Sequence, residues 1–201
     1  MTASTVRSAA VSERDRVVAV IVMAFSADPV ARWSFPDPQG YLRDFPDLVM
    51  GFGGRAFEHG TAYCAGDLSG AALWLPPGVE PPEDQMIALL KRAVPERLQE
   101  DAFGLFAQMG DHHPAEPHWY LPLIGVDPAR QGGGCGSALM AHALAPCDRD
   151  GQLAYLESTN PRNITLYERH GFEAIGAIQA GSSPTIVPML RKPQPRGIRP
   201  G

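Results

Sequence analysis

The chain is 201 residues long and 44% hydrophobic, and its 22 acidic and 17 basic residues give a net charge of −5. That length can bury a full core within one domain, and the basic residues, nearly all arginine, are too scattered for a nucleic-acid-binding face. Cys64, Cys135 and Cys147 have neither metal-ligand spacing nor a disulfide framework, and the longest apolar run, 17–25, is too short for a bilayer and lacks a cleavage site; the expectation is a cytoplasmic protein with no metal and no membrane contact.

Ser12, with Asp15 three residues on, opens a helix over 12–26 that Asp28-Pro29 ends. A loop through Pro36, Asp37, Pro38 and Gly40 leads to a helix over 41–59, weakened by Pro46, Gly51, Gly53 and Gly54. Residues 61–65 and 69–75 alternate around Gly66-Asp67 as a hairpin, closed by Pro76-Pro77-Gly78. Helical spacing over 83–109, interrupted at Pro95, predicts two helices inserted between strands. The next strand, 118–126, contains Pro122, which cannot donate to a ladder and so implies a bulge or a one-sided edge. Leu139, Met140, Ala143 and Leu144 give an apolar face to a helix ending near Pro146, and 153–157 forms a short strand. Asn160 and Pro161 then read as N-cap and first residue of another helix, with Gly171 at its left-handed end. Strands over 172–179 and 185–191 complete the sheet, and 193–201, with three prolines and two glycines, reads as a flexible tail.

The most informative segment is 124–136, Ile-Gly-Val-Asp-Pro-Ala-Arg-Gln-Gly-Gly-Gly-Cys-Gly, an apolar strand end running into a glycine-packed turn at a helix start. Glycine lets the main chain approach a ligand closely, and the first helical turn offers unpaired N–H groups at the positive end of its dipole, so the segment is an anion cradle. It is not a dinucleotide fingerprint: the sixth position counted from Gly132 is Ser137, and from Gly134 it is Leu139. Nor is it a Walker loop, because lysine occurs only at Lys91 and Lys192.

The pattern Val126-x-Pro128-x-x-Gln131-x-x-Gly134-x-Gly136, followed by Asn163-x-x-x-Tyr167-x-x-x-Gly171-Phe172, resembles the GNAT (GCN5-related) acyl-CoA N-acetyltransferase superfamily. Within it, Trp74-Leu75-Pro76-Pro77-Gly78, Gly125-Val126-Asp127-Pro128 and Leu156-Glu157 ahead of Asn160-Pro161-Arg162-Asn163 look most like the puromycin-acetyltransferase type. The resemblance is strong over 118–192 and weak before residue 60. It implies an α/β fold with a mixed, mostly antiparallel sheet of about seven strands, a splayed strand pair and flanking helices. It also implies one acyltransferase domain over 1–192, with 83–109 as a helical insertion. Departures are the run of three glycines, where the family commonly carries a lysine or arginine, and Pro122; the missing basic group would weaken cofactor binding by up to about 1 kcal/mol.

The implied reaction moves an acetyl group from acetyl-CoA (coenzyme A) to a primary amine of a small molecule by direct attack in a ternary complex. Ile124, Gly125, Val126, Arg130, Gln131, Gly132, Gly133, Gly134, Cys135, Gly136, Ser137 and Asn163 would hold the cofactor, with Arg162 nearby. A main-chain N–H near Val126 would polarise the thioester carbonyl. Tyr167 would be the general acid, sharing a helix face with Asn163 at i and i+4. Glu157, at a strand end, is either the general base, a substrate-orienting group or a helix cap. His118 has the right pKa class for a base, or is a surface histidine among His112, His113 and Glu116. Trp33, Phe35, Trp74 and Trp119 either line an acceptor pocket, with His118, or belong to the core. Cys135 has no paired base and reads as a small filler. The alternatives are a catalytically silent acyl-CoA sensor and a protein N-terminal or lysine acetyltransferase, and the oligomeric state is either monomer or homodimer.

Overall fold

Alternating apolar residues build a seven-stranded sheet in the order β1 (Val6–Ser8), β2 (Ala62–Ala65), β3 (Gly70–Leu75), β4 (His118–Val126), β5 (Leu153–Ser158), β7 (Val187–Arg191), β6 (Glu173–Ala174). The computed structural model describes residues 5–194. Strands β4 and β5 pair in parallel and the other neighbours pair antiparallel, giving the expected mixed, mostly antiparallel α/β sheet.

Seven helices flank it: α1 (Arg14–Ala24), α2 (Pro29–Ser34), α3 (Pro38–Gly53), α4 (Glu83–Ala93), α5 (Glu96–His112), α6 (Cys135–Asp150) and α7 (Ile164–Arg169). Strand alternation sends Leu73 and Leu75 into a core beneath α1 and α3, with Phe45, Val49 and Ile21. Trp74 and Ala72 point the other way, into a second core with Leu139, Met140 and Leu144 of α6. Gly125 lets α1 approach β4: a Cβ there would lie 2.7 Å from the Ala24 Cβ and 3.2 Å from the Ile21 Cα.

The predicted bulge is present. Leu73 pairs with Leu123 while Leu75 pairs with Tyr120, so β4 carries one extra residue around Leu121–Pro122, opposite Trp74. Pairing of β4 with β5 covers only His118–Leu121 against Leu153–Leu156, and β4 runs on to Val126 paired with β3 alone. This is the splayed pair.

Several expectations need correction. Strand β1 and helix α2 carried no recognised periodicity; α2 starts where the Asp28 carboxylate accepts from the Val30 and Ala31 amides and Pro29 sits at the first turn. Asp37 caps α3 in the same way, so the helix begins at Pro38 within the expected loop. Pro146 does not end α6, which continues to Asp150. An interior proline costs about 3 kcal/mol, and burying Leu144 and Cys147 on either side offsets it. The last strands are shorter than expected: between β6 and β7 the ladder is reduced to one Ile178–Ile186 bridge around a turn at Gly181. Of the expected tail, 195–201 lie outside the described residues, whereas the Gln194 N–H donates to Asp148 at 2.7 Å. Among the described residues no helix is long and apolar enough to cross a membrane.

Replacing Gly125 with valine should destabilise the protein by about 1–3 kcal/mol, because two branched carbons would have to enter the closed α1–β4 contact. Urea unfolding measures this; an unchanged midpoint would show that α1 does not depend on that close approach.

Candidate active site

The cradle grows out of the end of β4 that β5 has left and β3 still pairs. The Asp127 N–H donates to the Ser69 carbonyl at 2.8 Å, so by strand alternation the amides of Gly125 and Leu123 also face β3. The amides of Ile124 and Val126 face the gap, where β5 has already parted. The Asp127 carboxylate then caps a short turn by accepting from Ala129 at 2.9 Å, and the Val126 carbonyl accepts from Gln131 Nε2 at 3.3 Å. Gly134 has φ 84°, a left-handed conformation that aims the start of α6 at the cleft. Among the described residues, the seven main-chain N–H groups from Gln131 to Ser137 donate to no protein acceptor. Such an array suits a diphosphate, and the loop is open to solvent there: a Cβ added at Gly132 or Gly134 would meet no protein atom within 4 Å, and one at Gly133 only the Arg130 carbonyl at 3.4 Å.

These residues border a cleft of about 610 Å³, whose far wall carries Asn160, Arg162, Asn163 and Arg169. Ile124, Gly125, Val126, Arg130, Gln131, Gly132, Gly134, Cys135, Gly136, Ser137 and Asn163 thus share one cavity. Gly133 lies in the same loop without bordering it. Arg130 pairs with Asp67 at 3.4 Å on the exposed rim. Cys135 is buried, 4.0 Å from the Ser69 hydroxyl, and burial pushes its thiol pKa up, which keeps it protonated. Ser137 Oγ lies 2.8 Å from His170 Nε2, tying the start of α6 to the end of α7.

Asn160 accepts from the Arg162 amide at 3.1 Å and caps the turn that leads into α7, where Asn163 and Tyr167 fall on one face. The Tyr167 ring packs edge-on against Phe172 with centroids 6.3 Å apart, and its phenol pKa is raised above the usual value by burial and then by the Asp28 charge. Asp28 was legible in the sequence only as a helix break. It is buried, its carboxylate accepts from two α2 amides and from Thr159 Oγ1 at 2.7 Å, and burial outweighs these bonds to raise its pKa.

On the α1 side of the sheet a second cavity of about 120 Å³ is lined by Trp33, Phe35, Phe45, Phe52, Leu105 and Phe106, among others, and its floor includes Glu157. Five residues, Phe25, Asp28, Ile124, Asn163 and Tyr167, border both cavities, so the two adjoin around these side chains. The Glu157 side chain is only 2% exposed, and its Oε1 is buried without an aligned hydrogen-bond donor. It caps no helix; Asp28, Asp37 and Asn160 hold those positions.

Three expected acceptor residues lie elsewhere. Trp74 is fully buried under α6, on the opposite face of the sheet, because its neighbours Leu73 and Leu75 take the α1 face. Trp119 is likewise turned to that side, donating to Gln152 at 2.7 Å. His118 does not border the acceptor cavity. It is half-buried against His113, and burial, ahead of other influences, lowers its pKa. His113, expected only within a surface group, is wedged between the Tyr120 and Tyr155 rings, each 4.6 Å away, with Nε2 3.3 Å from Glu157 Oε1. The one signal for it was His113-Pro114 closing α5: a residue before proline adopts extended backbone, which turns its side chain off the helix.

Residues 98–174 match the family model described as an acetyltransferase (GNAT) domain. An uncharacterized N-acetyltransferase of Schizosaccharomyces pombe is 25% identical over 203 aligned residues, covering 89% of this chain and 79% of the relative. Among solved structures, a Corynebacterium glutamicum protein described as histone acetyltransferase HPA2 and related acetyltransferase superposes with a TM-score of 0.68 at 26% identity, covering 98% of this chain and all of that one. A Drosophila melanogaster polyamine N-acetyltransferase that forms N-acetylagmatine shares the fold, with a TM-score of 0.69 at 16% identity over 94% of this chain and all of that one. The matched segment takes in both the amide cradle and the Asn163–Tyr167 helix, and over it the chain is similar to GNAT acetyltransferase domains, a similarity that supports an acyl-CoA-dependent N-acetyltransferase.

Proposed function

We propose that this protein, acting through a single domain over 1–192, transfers acetyl from acetyl-CoA to the primary amine of a small molecule in a ternary complex. GNAT acetyltransferases act on small-molecule amines such as polyamines. The observation that carries the reading is that an anion-binding cleft adjoins a small apolar cavity around side chains that include one buried phenol, Tyr167.

Bound acetyl-CoA supplies an acyl carbon activated as a thioester. The free amides of 131–137 hold its diphosphate, helped by Arg162 and Arg169, and the gap-facing N–H groups of Ile124 and Val126 hold the pantetheine arm and polarise the thioester carbonyl. As the amine nitrogen bonds to the acyl carbon, Glu157 accepts the proton it releases. As the carbon–sulfur bond breaks, Tyr167 protonates the departing sulfur and is reprotonated from solvent. The raised pKa of Tyr167 keeps it in the acid form this step needs.

The acceptor cavity supports a monoamine with a compact apolar body. Its volume of about 120 Å³ is close to the roughly 150 Å³ that holds one benzene in an engineered apolar cavity. Its only carboxylates are Asp28, already saturated, and Glu157, so nothing in it recognises a second ammonium group. Leu90 of α4 and Ala102, Leu105 and Phe106 of α5 roof it, which favours a small molecule over a protein chain. The likeness to the puromycin-acetyltransferase type rests on motif residues, of which Trp74 lies away from this cavity.

Thiol release measured over a panel of amines should be saturable with small aryl or alkyl monoamines and weak with diamines. Saturable CoA binding without turnover on any amine would replace the enzyme reading with that of a sensor. Tyr167→Phe should keep its calorimetric CoA isotherm and lose about 10²–10⁴-fold in kcat; wild-type turnover would remove Tyr167 from the chemistry. Gly134→Val, which forces a branched residue to φ 84°, should weaken CoA binding by at least about tenfold. Tyr167 must be protonated to act and its pKa is raised, so kcat should show no alkaline fall from this group below about pH 10, the ordinary phenol value. A kcat decline near pH 8 that disappears in Tyr167→Phe would contradict this.

A further inference from the structure

A proton taken up by Glu157 has little direct route to solvent, because that side chain is only 2% exposed. The hydrogen-bond chain behind it has one fixed end. His118 Nδ1 lies 2.8 Å from the Glu116 carbonyl, which can only accept, so Nδ1 carries hydrogen. In a neutral His118 the other nitrogen, Nε2, is then a lone pair. It lies 3.1 Å from His113 Nδ1, which must therefore donate. A neutral His113 consequently presents a lone pair at Nε2 to Glu157 Oε1, 3.3 Å away, and an ionised Glu157 opposes it with another. Two lone pairs at that distance repel, and one shared proton turns the contact into a charge-assisted hydrogen bond. Oε1 is indeed buried with no aligned donor, as an acceptor facing a lone pair would be.

We propose that His113 is a proton-accepting positioning residue, fixed in its receiving tautomer by His118 and the Glu116 carbonyl, that takes from Glu157 the proton removed from the amine. The proposal rests on Glu157 being the base. The steps balance: the amine N–H proton passes to the Glu157 carboxylate, then from Oε1 to His113 Nε2, which leaves the carboxylate ionised and His113 an imidazolium. Solvent removes that proton from the ring, whose side chain is 26% exposed. The groups facing this pair are Tyr120 on β4, Tyr155 on β5 and His118; Glu80 acts on His118 from the loop after β3, and the neighbouring His112 is engaged with the Gln108 carbonyl at 2.8 Å. Both phenols are raised in pKa by burial and by the nearby Glu157 charge, so neither takes up a proton from it at neutral pH. The lowered pKa of His118 keeps that ring neutral, as the tautomer assignment requires.

The test compares three variants of the full chain with the wild type, using acetyl-CoA and the best monoamine of the panel. His113→Phe keeps a ring between Tyr120 and Tyr155 but removes both nitrogens; it should lower kcat by about tenfold or more, leave the amine KM and the CoA isotherm close to wild type, and shift the acid limb of the kcat–pH profile. His113→Ala should regain turnover on addition of imidazole, rising with the imidazole free-base concentration. Glu157→Gln runs in parallel. If it is inactive while His113→Phe retains wild-type kcat and pH profile, the relay is overturned and the base assignment stands. If Glu157→Gln itself turns over normally, the base assignment fails first. Loss of activity in both His113 variants without imidazole rescue and without a shifted profile, in protein that melts normally and binds CoA, would reduce His113 to a packing residue and overturn the proposal.

Discussion

One surplus residue in β4, opposite Trp74, ends the pairing of β4 with β5, and the working parts of the molecule depend on that separation. Had the parallel ladder continued, the amides of Ile124 and Val126 would be spent on β5 and the gap would be filled by backbone. Proline at position 122 enforces the break from within, since it has no N–H to give to the departing neighbour. The separation also lets α6 begin beside the strand end, so that free strand amides and free helix amides open onto the same cleft. Two kinds of unsatisfied main-chain group, each a liability in a dry core, are here open to a wet cleft, where they are free to serve as binding groups.

Features that depend on local chemistry were the ones readable in advance. The bulge followed from Pro122, the cradle from the glycine run, and the Asn160–Pro161 helix start from capping preference, all within a few residues of sequence. The segments missed were those whose order comes from elsewhere: β1 has three residues and exists because β2 offers an edge, and α2 has six and is held by the buried Asp28 carboxylate. Pro146 does not end its helix as expected because its cost is local while the burial of Leu144 and Cys147 that offsets it is tertiary. At the site, Trp74 was misplaced because hydrophobic size alone does not say which face of a strand a residue takes. His113 went unnoticed because its partners, Tyr120, Tyr155 and Glu157, are brought to it by two strands remote in sequence.

The electrostatics are arranged by position and not by total. A chain of net charge −5 receives an anionic cofactor, so attraction has to be built within about one Debye length, roughly 10 Å at 0.1 M salt, of the cleft. The helix start of α6 and the Arg162 and Arg169 side chains, which make no ion pair among the described residues, provide it there. The Glu157 carboxyl group lies away from that cleft, in the floor of the acceptor cavity, while Asp28 borders both cavities beside Tyr167.

The burial of Cys135 has a bearing on life with a thiol-bearing carrier. Every turnover liberates a free sulfhydryl within the same cleft that Cys135 borders, an invitation to mixed-disulfide formation whenever an oxidant is present. Exchange requires a thiolate, and burial, which outweighs the opposing Ser69 hydroxyl, holds this one protonated, as burial does at Cys64 and, with a pKa of about 12, at Cys147. The enzyme therefore resists capture by its own product, keeping its three thiols out of the redox traffic that its chemistry creates.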